Sequence, residues 1–388
     1  MGRMGKKLDT NIIHYGSDPK NNHGSLTYPI YKNSTLIFED YDSYLNSKKE
    51  KFKRPYYGRI GTYTTRKFEE LVCSLYDSKN CIITSSGLSA ITISLLSILK
   101  NGDQILITQN CYEPVYNFAK NELQKFGVEI SFYPNNLEKL EGMISNKTKI
   151  IYIESPGSLN FEVADLKNII KIAKKKKILT IMDNTWSTFI GCNPLKLGID
   201  IVIESATKYF SGHSDTFLGI IALSSDNLAR KIKQTAVRVG DFVSSQSCFD
   251  ATKGVRTIKI RLEKHHKNAD QVFNFLKSRK IVKQILFLPD RKNKNHMNWK
   301  KYHSTCNGLI TFSIKKKKNI RNFINKLDLF KIGFSWGGYE SLIIPLQNLT
   351  PLKKLSIKSY YWFRIHVGLE SADDLINDLN RALNYYEK

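Results

Sequence analysis

The sequence predicts an α/β protein, with a large domain on a mostly parallel sheet and a smaller C-terminal α+β domain. Three observations carry that expectation. From about residue 62, short β-rich apolar runs alternate with helix-period segments. Most of those runs, such as CIIT, QILIT and DIVIES, are rich in Ile, Val and Leu, as strands covered on both faces should be. Near residue 245 the alternation gives way to one long basic helical segment followed by more widely spaced strands.

Taken in order, residues 1–57 are polar and rich in Tyr and Asn, with little periodicity before Tyr41. They read as an extended arm that must lean on something else. In the large domain, 58–245, KFEELVCSLY has helical spacing, CIIT is a short strand and LSAITISLLSIL an apolar helix. QILIT, VEISFY, KIIYIES, ILTIMDN and DIVIES are the further strands, and helical or turn-rich stretches separate most of them. In the small domain, 246–388, strands are expected at VKQILFL, GLITFSI and FRIHVGL, and an amphipathic helix from Ala372.

The chain has 388 residues, 41% hydrophobic and 24% charged, enough for two domains with a sizeable core. Its formal charge of +25 invites a nucleic-acid reading, in the extreme a basic binding protein on a dead enzyme fold. No helix-turn-helix, zinc-finger or RNP-type pattern accompanies the charge, and the KKKK runs at 174–177 and 315–318 sit at the edges of regular elements. A Lys-rich solvated surface is the simpler account, and no nucleic-acid partner is expected. The six cysteines are scattered without a CxxC pair, so neither a disulfide framework nor a metal site is expected. MGRMGKKLDTN lacks the apolar core of a signal peptide and no run approaches transmembrane length, so a soluble cytoplasmic protein without a membrane partner is expected.

Ligands of an open α/β sheet bind at the carboxyl ends of its strands. Asp183 closes ILTIMD, while Ser205, Thr207 and Lys208 follow DIVIE. TSSGLSA joins a strand to a helix with Gly87 at the helix start, where free N–H groups can meet an anion. Singly, each has an ordinary reading: a helix cap, a capping Asp, an exposed Lys. Together, a carboxylate, a phosphate cup and a lysine at neighbouring strand ends are what pyridoxal 5'-phosphate needs.

At these residues the chain resembles the Cys/Met-metabolism family of pyridoxal-phosphate enzymes. The matching stretches, in the family's order, are YYGRIGT (56–62), SSGLSA (85–90), CYEP (111–114), ESPGSLNFEV (154–163), DNTW (183–186), SATKYFSGHSD (205–215), SWGGYESL (335–342) and RIHVGLE (364–370). The resemblance implies an aminotransferase-like fold of type I. It makes Lys208 the Schiff-base lysine, Asp183 the partner of the pyridine nitrogen, and Tyr112 the aromatic stacked on the ring. Gly87, Leu88, Ser205 and Thr207 match phosphate-binding positions, and Tyr57 and Arg59 match residues reaching the phosphate from a neighbouring subunit. Arg364 matches the clamp on the substrate α-carboxylate, with Ser335 and Trp336 lining the same pocket. A homo-oligomer with shared sites, a dimer of dimers, is implied, with the polar arm packed across the interface.

Trp336 and Ser158 stand where synthase and γ-lyase relatives usually carry a smaller aliphatic residue and an Asn. That resembles the β-lyase branch and implies β-elimination of L-cystathionine to homocysteine, pyruvate and ammonia, within methionine biosynthesis. Alanine racemisation, cysteine desulfhydration, or a γ-synthase or γ-lyase reaction remain open for the same residues.

Overall fold

The computed structural model describes residues 7–346 and 359–388. The stretch MGRMGK at the start of the expected arm lies outside the described residues. Seven strands form the first sheet: β1 (Asn80–Thr84), β2 (Gln104–Thr108), β3 (Glu129–Tyr133), β4 (Thr148–Glu154), β5 (Leu179–Asp183), β6 (Ile201–Ser205) and β7 (Gly219–Leu223). Their order is β1-β7-β6-β5-β4-β2-β3. All neighbours are parallel except β7, which is antiparallel to both β1 and β6.

β7 is an element the sequence reading did not single out. The segment GIIAL is as short and apolar as its neighbours, but residues 206–218 before it contain no helix to carry the chain across the sheet. The chain therefore folds straight back beside β6, which makes the new strand antiparallel. That return segment contains Lys208.

Side chains alternate cleanly between two cores, one on each face. Ile105, Ile107, Ile150, Ile181, Ile201 and Ile203 enter one, with Ala90, Val115 and Ile232 of the helices Gly87–Ile98, Glu113–Asn121 and Asp226–Arg238. Leu106, Ile151, Met182 and Val202 enter the other, with Phe68, Leu166 and Val255 of the helices Tyr63–Tyr76, Leu166–Lys176 and Ser245–Ser278. This is why the strands read as unbroken apolar runs. Each fully buried Ile contributes about 1.5–3 kcal/mol relative to exposure, so the central strand ends rest on a close-packed support.

The second sheet has the order β10-β11-β12-β9-β8. Its strands are β8 (Val282–Leu286), β9 (Leu309–Lys315), β10 (Lys331–Ile332), β11 (Leu342–Pro345) and β12 (Tyr360–His366), closed by the helix Ala372–Glu387. Pairing is antiparallel except between β10 and β11. The helix Ser245–Ser278 spans about 50 Å at 1.5 Å per residue, and it joins the two sheets through a single continuous apolar cluster.

The N-terminal arm is not bare of local structure. It forms helices at Leu8–His14 and Tyr41–Lys49, buries Ile12, and buries Tyr28, whose phenol meets Thr252 Oγ1 at 2.7 Å. Leu26, Ile37 (94% exposed) and Tyr41 point to solvent. No helix among the described residues is long and apolar enough to cross a membrane.

Candidate active site

Three adjacent parallel strands deliver their carboxyl ends to one place. Glu154 of β4 lies opposite Asp183 of β5, and Asp183 opposite Ile203 of β6, two residues before Ser205. Asp183 is 9% exposed, and its carboxylate accepts the Thr185 N–H at 2.9 Å. Burial pushes its carboxyl upward, against the pull of the Thr185 donors and of the Lys208 charge.

Lys208 lies in the return segment after β6. Its Nζ donates to Ser335 Oγ at 2.9 Å and sits 5.4 Å from the Trp336 ring centroid. Burial, reinforced by the Arg364 charge and opposed by Asp183, brings its pKa down to about 8. The amine is thus enclosed and holds its proton less tightly than a surface lysine.

Arg364 projects from β12 and is buried. One guanidinium nitrogen donates to Phe334 O at 2.8 Å, and the other makes a longer contact of 3.4 Å with Ser158 O. These carbonyls fix the plane of the fork and leave further N–H donors for a carboxylate. Burial lowers its pKa only to about 10, so it stays charged at neutral pH.

Tyr112 caps the helix Glu113–Asn121 and is 47% exposed. Its phenol is raised first by burial and then by Asp183 and Glu154, with Arg364 opposing, so the ring lies within the electrostatic reach of the whole cluster. On the other flank, Ser86 caps the helix Gly87–Ile98 by accepting the Ser89 N–H at 3.0 Å, and the Gly87 and Leu88 amides open that helix. A Cβ on Gly87 would fall 2.5 Å from Ser205 Cβ, so the glycine lets the helix start close against the end of β6. Thr207 Oγ1 accepts the Leu218 N–H at 3.1 Å.

The structure therefore brings together Lys208, Asp183, Tyr112, Arg364, Ser335 and Trp336, and packs the helix start at Gly87 against Ser205. Tyr57 and Arg59 are engaged elsewhere on their own chain. The Arg59 guanidinium stands 5.8 Å from the Tyr57 ring and donates to Val237 O at 2.9 Å, and both side chains are exposed.

Two residues outside the sequence expectation are tied into the site. Glu154 accepts the Ser158 N–H at 3.1 Å through one oxygen and the Tyr112 N–H through the other. Burial, then the Asp183 charge, lifts it to about 8. Its signal in the sequence is the one that revealed Asp183, an acid closing an apolar strand. Asp241 accepts from Ser85 Oγ at 2.6 Å and Ser89 Oγ at 2.8 Å, bracing the helix start; in a loop remote in sequence, it had no signal.

The group that fits this arrangement is an aromatic aldehyde carrying a ring nitrogen and a phosphate. A partly deprotonated amine, a buried acid, an aromatic face and a helix start opened by Gly87 match its four parts. A surface cavity of about 370 Å³ beside Gly191 and Lys300 contains none of these groups.

Comparison with known proteins agrees with this chemistry. The Cys/Met metabolism PLP-dependent enzyme family matches residues 9–384. The L-alanine/L-glutamate racemase of Wolbachia pipientis wMel is 31% identical, covering 97% of each chain. The cystathionine β-lyase of Escherichia coli (strain K12) is also 31% identical, over 97% of this chain and 98% of its own. Among solved structures, the cystathionine γ-lyase from Lactobacillus plantarum superposes with a TM-score of 0.90 at 28% identity, covering 98% of this chain and all of its own.

Proposed function

Because the chain belongs to the Cys/Met-metabolism family of pyridoxal-phosphate-dependent enzymes, we propose that it is a carbon–sulfur β-lyase cleaving L-cystathionine to homocysteine, pyruvate and ammonia. The observation that carries the reading is the buried Arg364 fork beside an enclosed Lys208 amine held by Ser335 and covered by Trp336. β-Lyases among the relatives at about this identity, from Escherichia coli and Bordetella avium, support the same choice.

In this reading Arg364 holds the substrate α-carboxylate, and its planar fork orients the Cα–H bond toward Lys208. Lys208, Asp183, Tyr112 and the cup of Gly87, Leu88, Ser205 and Thr207 would hold pyridoxal phosphate, which would supply an electron sink for charge left at Cα, with Asp183 placed to pair with its ring nitrogen. Lys208, with its pKa near 8, is in part a free amine at neutral pH and takes the Cα proton. The Cβ–S bond breaks, the departing sulfur takes a proton from Lys208 or from the Tyr112 phenol, which burial keeps protonated, and water hydrolyses the aminoacrylate left behind to pyruvate and ammonia. Ser335 steadies the amine between its two proton transfers.

A second reading, amino-acid racemisation, is favoured by the Wolbachia relative and by the half-exposed Tyr112 phenol within reach of the same cluster. There Lys208 and Tyr112 would exchange the Cα proton on opposite faces, with no Cβ bond broken. One experiment divides the two: pyruvate released from L-cystathionine beside D-alanine and D-glutamate formed from the L-isomers. Pyruvate without D-isomer supports the lyase, and D-isomer without pyruvate replaces it.

The exposed Tyr57 and Arg59 support a further part of the reading, that they complete the phosphate cup of a second copy. A dimer with shared sites follows from it, and the family resemblance extends this to a dimer of dimers. Mixing inactive Arg59→Ala and Lys208→Ala proteins should restore turnover if sites are shared, and no recovery after subunit exchange would refute that.

A further inference from the structure

We propose that His366 is a positioning residue: through the loop 335–340 it holds Ser335 and Trp336 against the Lys208 amine. The inference rests on Lys208 being the working amine.

Arg364 and His366 stand two residues apart on β12 and so share a face of the strand. Both reach the segment that runs over Lys208. Arg364 takes the Phe334 carbonyl at its start. His366 takes the middle and the end, since Nε2 accepts the Gly337 N–H at 3.1 Å and Nδ1 donates to Glu340 O at 3.0 Å. An N–H on one side and a carbonyl on the other fix the tautomer, with the proton on Nδ1 and the ring neutral. A buried histidine filling space needs one such bond; this one uses both nitrogens on a single loop.

What it holds lies directly on the lysine. Gly337 has φ +88°, and a Cβ there would stand 3.2 Å from Lys208 Cα and 2.9 Å from Tyr209 N. The loop backbone therefore rests on the backbone of the reactive residue, which puts Ser335 Oγ on Nζ and the Trp336 ring alongside it. Phe334, next to this contact, is 84% exposed, so packing of the loop's outer side contributes little to its position.

The titratable groups facing His366 do not compete for these bonds. His265, from the long helix, has its ring centroid 4.9 Å away and directs Nδ1 to Val367 O. Tyr209 lies 6.1 Å away by ring centroid and meets Gly308 N through its phenol. Arg364 and Lys208 are positive neighbours; with burial and His265, they hold His366 neutral far below its ordinary range.

Burial is the largest cause of the lowered proton affinity of Lys208, so releasing the loop to water should let that affinity rise. The test reads Lys208 in cofactor-free protein, by peptide-resolved acetylation rates between about pH 6 and 11. It is thus independent of which reaction the loaded enzyme runs. His366→Leu is expected to raise the Lys208 pKa by about one unit or more. His366→Gln can put its carboxamide oxygen in the place of Nε2 and should stay within about half a unit of the parent. His366→Asn reaches only the place of Nδ1 and should follow Leu. A folded Leu variant whose Lys208 titrates as in the parent overturns the proposal. If the Leu variant does not fold, Gln and Asn variants with equal Lys208 titrations overturn it. Failure of the premise that Lys208 is the working amine would show separately, as turnover surviving in Lys208→Ala.

Discussion

Replacing Arg364 by Lys isolates the role of a planar fork, because the positive charge is kept while the geometry is lost. In the structure the guanidinium is anchored at Phe334 O, 2.8 Å, with a weaker contact to Ser158 O. A lysine ammonium could keep one of these or meet the substrate, but it could not present two parallel N–H donors. Losing one charge-assisted hydrogen bond removes about 1.5–3 kcal/mol, which at about 1.4 kcal/mol per decade is roughly a 10- to 150-fold rise in KM. The chemistry at Cα is untouched, so kcat should change far less. Initial rates with L-cystathionine would be measured together with competition by an amine analogue lacking the α-carboxylate. The analogue should bind parent and variant alike. An unchanged KM, or equal weakening of the carboxylate-free analogue, would refute the assignment of Arg364 as the carboxylate clamp.

Other consequences are open to measurement. Lys208→Ala should lose turnover by at least about 10²- to 10⁴-fold, the usual worth of positioned proton transfer, along with the yellow absorbance that borohydride bleaches; near-normal elimination would sink the role. Gly87→Ala forces a Cβ onto Ser205 at 2.5 Å, so pyridoxal phosphate should dissociate more readily in equilibrium dialysis, whereas unchanged affinity would place the phosphate elsewhere. The Lys208 pKa falls on folding from 10.5 to about 8, so between these values the unfolded chain binds more protons. Stability of the cofactor-free protein should therefore rise with pH across that window, by up to roughly 3 kcal/mol from this group. Urea titrations of parent and Lys208→Met compare the slopes, and equal slopes would count against the buried amine.

How much was legible in advance depends on whether a feature is written locally. Lys208, Asp183, Ser205 and Gly87 stand at the ends of short apolar runs, and a strand end is a local signal. Glu154 carries the same signal at the end of β4 and opens the motif ESPGSLNFEV, but its part in the site depends on the Tyr112 and Ser158 N–H groups that only the folded chain brings to it. The parts played by Asp241 and by His366, though His366 lies in the motif RIHVGLE, were not legible for another reason: each acts on a segment distant in the chain, Asp241 on Ser85 and Ser89 and His366 on Gly337 and Glu340. GIIAL, apolar enough to be a strand, stands outside the strands read from the sequence, and nothing in it shows its direction, which is set by the helix-free residues 206–218 before it.

The sequence alone determined the layered architecture, through apolar runs that must be covered on both faces, and the residue types of a pyridoxal-phosphate site at successive strand ends. Tertiary structure decided the environment that makes those residues reactive. Lys208 is one cation among 60 Lys and Arg residues. Its proton affinity falls because Ser335, Trp336 and Arg364, more than 120 positions further along, close over it. Burial and the charge of a neighbour are properties of three-dimensional packing, and no local stretch of sequence encodes either of them.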